Sequence, residues 1–207
     1  MNILVLAPHP DDEVIGCGGA LCLHARARAR ITAVFLTSGE LGLKHLPREK
    51  AWAIREKEGK AAAKVIGISE LIFLRCSDWT LGDQIPKAAK LLRPILKRTK
   101  PKLVYLPHPN DGHPDHQATL PILGAALKGI SVRVPELRAY EVWTPLSQFD
   151  LVEDISSVIG LKLEALRAHK SQLKEFDYAR AITGLNQYRG VLAAKCGYAE
   201  VFQSLSL

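Results

Sequence analysis

The chain is poor in aromatic residues, which make up 6% of its 207 positions, and it has one methionine. Aromatic side chains interleaved with basic ones form the stacking platforms of single-stranded nucleic-acid binders, and no segment here has that pattern. Long hydrophobic runs are also missing: every apolar stretch falls well short of the roughly 20 residues that span a bilayer. The N-terminal MNILVLA lacks a basic leader and a small-residue cleavage pattern, so neither membrane insertion nor export is expected, and the protein is expected to be cytoplasmic. The four cysteines, Cys17, Cys22, Cys76 and Cys196, contain no CxxC pair. Thiols are therefore expected rather than disulfides, and any metal is expected on other ligands. No repeat, linker or low-complexity segment divides the sequence, whose length suits a single domain over residues 1–207.

Positive charge is what the chain has in excess, +7 at neutral pH. KAAKLLRPILKRTKPK, from Lys87 to Lys102, concentrates much of it. Ala88, Leu91, Leu92, Ile95 and Leu96 recur there at helical spacing, so the segment reads as an amphipathic helix with a solvated basic face. Nucleic acid is not an expected partner, and the excess charge suits encounter with an anionic small molecule.

Apolar, β-branched runs at residues 2–7, 31–37, 71–75, 103–107 and 137–143 alternate with helical patterns at about 13–29, 48–66, 84–99, 114–129 and 157–170. Strands apolar on both faces, set between helices, predict an α/β, Rossmann-like domain with a mostly parallel sheet between helical layers. From Ser171 to Leu207 the pattern reads as helical and then irregular.

In such sheets ligands bind beyond the carboxyl ends of the strands. HPDDE (His9–Glu13) follows the first strand directly, and PHPNDGHPDHQAT (Pro107–Thr119) follows the fourth. His9, His108, His113 and His116 concentrate in these two loops beside Asp11, Asp12, Glu13, Asp111 and Asp115. A catalytic metal needs about three nitrogen or oxygen ligands and an open position, which two loops on one edge can supply. Alone, Asp11 and Asp12 would read first as helix-capping acids, and HPDH equally well as a capped proline turn. Their joint placement favours a metal. GCGGA (Gly16–Ala20) fails the dinucleotide fingerprint, since its third glycine would fall at Leu21, and its glycines are expected to let an apolar helix pack closely. His24, His45 and His169 lack such company and read as surface or core histidines.

HPDDE after the first strand with HPDH after a later one resembles the LmbE-like, or PIG-L, family of zinc-dependent N-deacetylases. The resemblance extends to LTSGELG (36–42), REKEGKAAAKVIGI (55–68), YEVWTPL (140–146), KLEALRAHKSQL (162–173) and the tail motifs YRG and YAEVF (188–202). It implies removal of the acetyl group from an N-acetylglucosamine-type conjugate, a small amino-sugar substrate. By this resemblance His9, Asp12 and His116 are the Zn2+ ligands, a set that also accepts Fe2+ or another divalent ion. Asp11 is then the base that deprotonates the attacking water. His113 is the cationic stabiliser of the oxyanion, with Asp115 placed to hold its ring protonated. Arg55 and Asp78 match sugar-contacting positions, Glu40 lies near the active edge without a role, and Asp111 stands where some members carry an aromatic. The resemblance also implies a homo-oligomer, a trimer or hexamer. An amidase for another amide, such as a thiol conjugate, and a catalytically silent metal-binding protein are the alternatives.

Overall fold

The computed structural model describes all 207 residues. Its strands are β1 (Asn2–Ala7), β2 (Arg30–Thr37), β3 (Glu70–Cys76), β4 (Leu103–Pro107), β5 (Glu136–Tyr140), β6 (Leu151–Asp154) and β7 (Ala199–Leu205). Its helices are α1 (Asp12–Arg26), α2 (Arg48–Ile66), α3 (Ile85–Thr99), α4 (Pro114–Leu127), α5 (Ile159–Arg167), α6 (Lys170–Leu173) and α7 (Tyr178–Arg189).

The alternation within β1 explains the layering. Ile3, Val5 and Ala7 pack with residues of α1, α2 and α5, whereas Leu4 and Leu6 pack with residues of α3 and α4. Each side chain so buried contributes roughly 1.5–3 kcal/mol relative to exposure, enough for two half-cores to hold the sheet from both sides. Strand order is β3-β2-β1-β4-β5-β7-β6. The first five strands pair in parallel, and β7 pairs antiparallel with both β5 and β6. From β1 the chain builds outward to β3 and then returns to lay β4 against β1, with Leu4 opposite Val104. This reversal opens a crevice beyond the carboxyl ends of β1 and β4, where an open α/β sheet binds its ligand. HPDDE and HPDH flank that crevice.

The expected single-domain, mostly parallel α/β architecture is the one observed, with corrections at its margins. The tail does not end irregularly: β7 lies between β5 and β6 in the sheet, with Glu200 buried near its start. That acid interrupts the apolar run and hid the strand. The four-residue β6, LVED, carries two acids and gave no strand pattern. Leu91 is exposed rather than part of the α3 stripe, while Ala88, Leu92, Ile95 and Leu96 are buried as expected. All four cysteines are free thiols, and no helix is long and apolar enough to cross a membrane.

Candidate active site

Asp11 leaves β1 in a backbone conformation that side chains rarely adopt, with φ 135° and ψ −27°. Such strain costs on the order of 1–3 kcal/mol and persists only where surrounding bonds over-determine it. Here the Asp11 carbonyl accepts from the N–H groups of Val14 and Ile15 at 2.9 Å each. The Asp11 N–H donates to Glu13 Oε2 at 3.1 Å. Arg55, reaching in from α2, donates to the carbonyls of Pro10 at 2.7 Å and Gly39 at 3.2 Å and lies 3.3 Å from Asp11 Oδ2.

Two imidazoles converge on the next residue. Asp12 Oδ2 lies 3.2 Å from His9 Nδ1 and 3.3 Å from His116 Nε2. Each ring is oriented by a carboxylate on its far nitrogen: His9 Nε2 faces Asp78 Oδ1 at 2.9 Å and Asp115 Oδ2 at 3.2 Å, and His116 Nδ1 faces Asp111 Oδ1 at 2.8 Å. A carboxylate on one ring nitrogen draws the N–H to that side and leaves a lone pair on the other, the arrangement metal-ligating histidines use. His116 Nε2 is buried without a hydrogen-bond partner. That orphaned atom, facing a carboxylate oxygen and a second imidazole, fits a divalent cation. The wider donor set has the same character, with His9, His113 and His116, and His9, Asp78 and Asp115, each close enough to group around an ion.

Burial opposes charge on all these groups, and their neighbours decide the outcome. His116 and His9 outweigh burial at Asp12 and hold its carboxyl well below the usual range. Burial, helped by the Asp12 charge and opposed by Arg55, pushes Asp11 up to about 7. The two acids thus separate: one stays ionised between imidazoles while the other titrates near neutrality, where a general base is most effective.

His113 differs from expectation. Its Nδ1 accepts the backbone N–H of Asp115 at 3.1 Å, and burial, reinforced by His9 and His116, lowers its pKa to about 4. A ring whose Nδ1 accepts is neutral and carries its proton on Nε2, a hydrogen-bond donor rather than a cation. Nor does the Asp115 carboxylate hold that ring. It accepts from Trp79 N–H at 2.7 Å and Leu81 N–H at 3.0 Å and contacts His9, tying the loop after β3 to the loop after β1.

Other residues fall into place around a cleft of about 580 Å³, whose wall includes Lys44, His45, Arg55, Trp79, Trp143 and Phe176. Trp79 and Trp143 flank His113, with ring centroids 4.5 and 5.0 Å away. These aromatics come from loops after β3 and β5, so Asp111 at a position expected for an aromatic does not leave the site without them. His45, read as an ordinary histidine, lines the cleft. His108 braces the rim by bonding the Thr144 carbonyl at 2.7 Å and stays outside the donor cluster. Glu40 accepts from Trp52 Nε1 and Asp78 N–H and pairs with Arg48, bracing the loop that carries Asp78. Asp78 lines the cleft but also accepts from Leu41 N–H at 2.9 Å. Glu40 gave no sequence signal for this role, since Trp52, Asp78 and Arg48 come from other elements, and the Asp111 carboxylate reaches Trp143 and Thr144 in the loop after β5.

A Rossmann-like domain with imidazoles, carboxylates and a neutral-range acid at its topological switch point is, by class, an α/β enzyme with a hydrolytic strand-end site. Residues 4–127 match the family described as PIG-L: GlcNAc-PI de-N-acetylase, and the chain belongs to that family. It is an N-deacetylase, a hydrolase. It is 31% identical over 187 residues to a probable N-acetyl-alpha-D-glucosaminyl L-malate deacetylase 2 of Bacillus anthracis, covering 83% of this chain and 81% of that one. It is 25% identical over 194 residues to the diacetylchitobiose deacetylase of Thermococcus kodakarensis, covering 84% and 71%. Among solved structures, the conserved protein TT1542 of Thermus thermophilus superposes with a TM-score of 0.83 at 30% identity, covering 100% of this chain and 97% of that one.

Proposed function

We propose that the protein removes the acetyl group from an N-acetylglucosamine conjugate with an anionic aglycone, with His9, Asp12 and His116 holding a divalent ion, Zn2+ or Fe2+. The observation that carries this reading is the buried, partnerless Nε2 of His116 facing Asp12 Oδ2 beside His9 Nδ1. When bound there, the ion supplies a Lewis acid that acidifies water and polarises an amide carbonyl. Asp11, on the same cleft wall, takes a proton from water as its oxygen attacks the acetyl carbon. The Nε2–H of neutral His113 donates to the oxygen where negative charge develops. The C–N bond then breaks, the nitrogen takes up a proton, and acetate and a free amine leave. Arg55 and Asp78, both among the residues of the cleft wall, are proposed to contact sugar hydroxyls. Lys44 and His45 on the same wall suit an anionic aglycone, in keeping with the malate conjugate named for the Bacillus anthracis relative.

The test is release of free amine from a panel of conjugates: the malate glycoside, diacetylchitobiose and the inositol glycoside. Asp11→Asn is expected to retain its metal and lose turnover by at least about 10²-fold, because the base is gone while the ligands survive. Loss of metal in that variant would exchange the roles of Asp11 and Asp12. Absence of amine from every conjugate would overturn the reading.

A further inference from the structure

Helix α1 is not continuous. Cys17 has φ −141° and ψ 16°, which separates the turn Asp12–Gly16 from the remainder. A break of this kind strands carbonyls on one side and N–H groups on the other, and buried backbone groups demand partners. Two side chains from distant elements supply them. Glu200 on β7 accepts the N–H groups of Gly19 at 2.7 Å and Ala20 at 2.8 Å, on the far side of the break. Lys162 on α5 donates to the Ile15 carbonyl at 2.8 Å, on the near side, and pairs with Glu200 Oε1 at 2.7 Å. Its third proton goes to Asn186 Oδ1 at 2.8 Å, so every ammonium donor is used. The pair is shut off from solvent, with side-chain exposures of 0% and 1%.

Packing fixes the turn on the near side of the break. The ring of Tyr140 lies against Gly16 so closely that a Cβ there would meet it at 2.1 Å, and the Tyr140 hydroxyl donates to the Leu6 carbonyl of β1. The turn carrying Asp12 is therefore wedged against β1 and β5 while detached from the helix behind it. Ile15 connects it to the ion pair: its N–H donates to the strained Asp11 carbonyl, its C=O accepts from Lys162, and its side chain lines the cleft.

We propose that Lys162 and Glu200 are positioning residues for the Asp11–Asp12 turn, mending the broken helix so that the strained Asp11 and the Asp12 carboxylate keep their places. They stand in KLEAL and YAEVF, two motifs to which the sequence assigns no chemistry. A buried ion pair is a poor source of net stability, but loss of one member leaves an uncompensated charge and loosens whatever the pair holds in register. The proposal rests on the reading of Asp11 as base and Asp12 as ligand.

The test uses Glu200→Gln and Lys162→Met in the full chain, with metal content matched to wild type. Each is expected to lower kcat by about 10- to 100-fold while KM stays within about threefold, since substrate still reaches a site whose base is displaced. Amide exchange at Val14 and Ile15 is expected to quicken about tenfold or more, with amides of β2 and β4 unchanged. A folded variant with wild-type kcat per metal-loaded molecule would overturn the proposal even if its melting temperature were low, and so would unchanged exchange at Val14 and Ile15. If Lys162→Met does not fold, Glu200→Gln decides, because it keeps the side chain's size and an acceptor oxygen. If wild type turns over no conjugate in the panel, the functional reading fails, and the exchange measurement still tests the positioning of the turn.

Discussion

Asp111 illustrates how much one carboxylate can organise. Its Oδ1 contacts His116 Nδ1 at 2.8 Å and accepts from the His113 N–H at 3.0 Å, while its Oδ2 accepts from the N–H groups of Trp143 at 2.9 Å and Thr144 at 3.0 Å. It therefore sets the tautomer of a proposed ligand and pins the loop that brings Trp143 to the cleft. Asp111→Ala is expected to weaken metal binding by about 10- to 100-fold, the usual effect of losing the partner behind a ligating histidine. Competition with a chromophoric chelator measures it, and wild-type affinity in the variant would remove Asp111 from the metal's support. The same logic explains why Asp115 differs from its expected role. Spacing puts it next to His113 in HPDH, but the helical turn of α4 aims its carboxylate at Trp79, Leu81 and His9 and leaves only its backbone N–H for the His113 ring.

At the scale of elements, the corner between α5 and α6 carries a pH liability. His169 is wholly buried there, and neither ring nitrogen has a hydrogen-bond partner. Burial, with the Arg55 charge, lowers its pKa from 6.5 to about 3. The unfolded chain takes up this proton near pH 6.5 while the folded chain does not, so below that pH the unfolded state binds more protons. Stability from this residue is present above about pH 6.5 and falls by about 1.4 kcal/mol per pH unit as the solution is acidified toward the folded value. Urea unfolding of wild type and His169→Gln, both stripped of metal, is expected to show wild type losing about 2 kcal/mol more than the variant between pH 7 and pH 5. Parallel losses in the two proteins would mean that His169 is not held neutral by the fold.

For the whole molecule, the metal and the fold are expected to be coupled. The proposed ligands come from the ends of β1 and β4, the two strands at the topological switch, so an ion held by both clamps the sheet's centre. An ion that binds only the folded chain at about a hundred times its dissociation constant adds about 2.7 kcal/mol. For a chain of this size that corresponds to roughly 5–10 °C in Tm. Chelation is therefore expected to lower Tm by that amount and restored Zn2+ to recover it. A Tm indifferent to both would separate the site from the stability of the sheet.

The parallel α/β core, and the edge on which the chemistry sits, are legible in the order of residues alone. Those features are written in local periodicity and in the residues that directly follow each strand. The convergence of HPDDE and HPDH on one edge was legible for the same reason, whereas the ligand set His9, Asp12 and His116 came from the family resemblance and is tested by metal content. The folded chain was needed to show that the His113 ring accepts the Asp115 N–H, that Asp111, Asp78 and Asp115 stand behind the two imidazoles, and that β7 exists with a buried acid near its start. It was needed equally for the break of α1 at Cys17 and its bridging by Lys162 and Glu200. A buried polar atom is satisfied by whatever the fold brings within about 3 Å of it. Glu200 and Gly19 are 181 residues apart in the chain, and no local pattern reports such a partner.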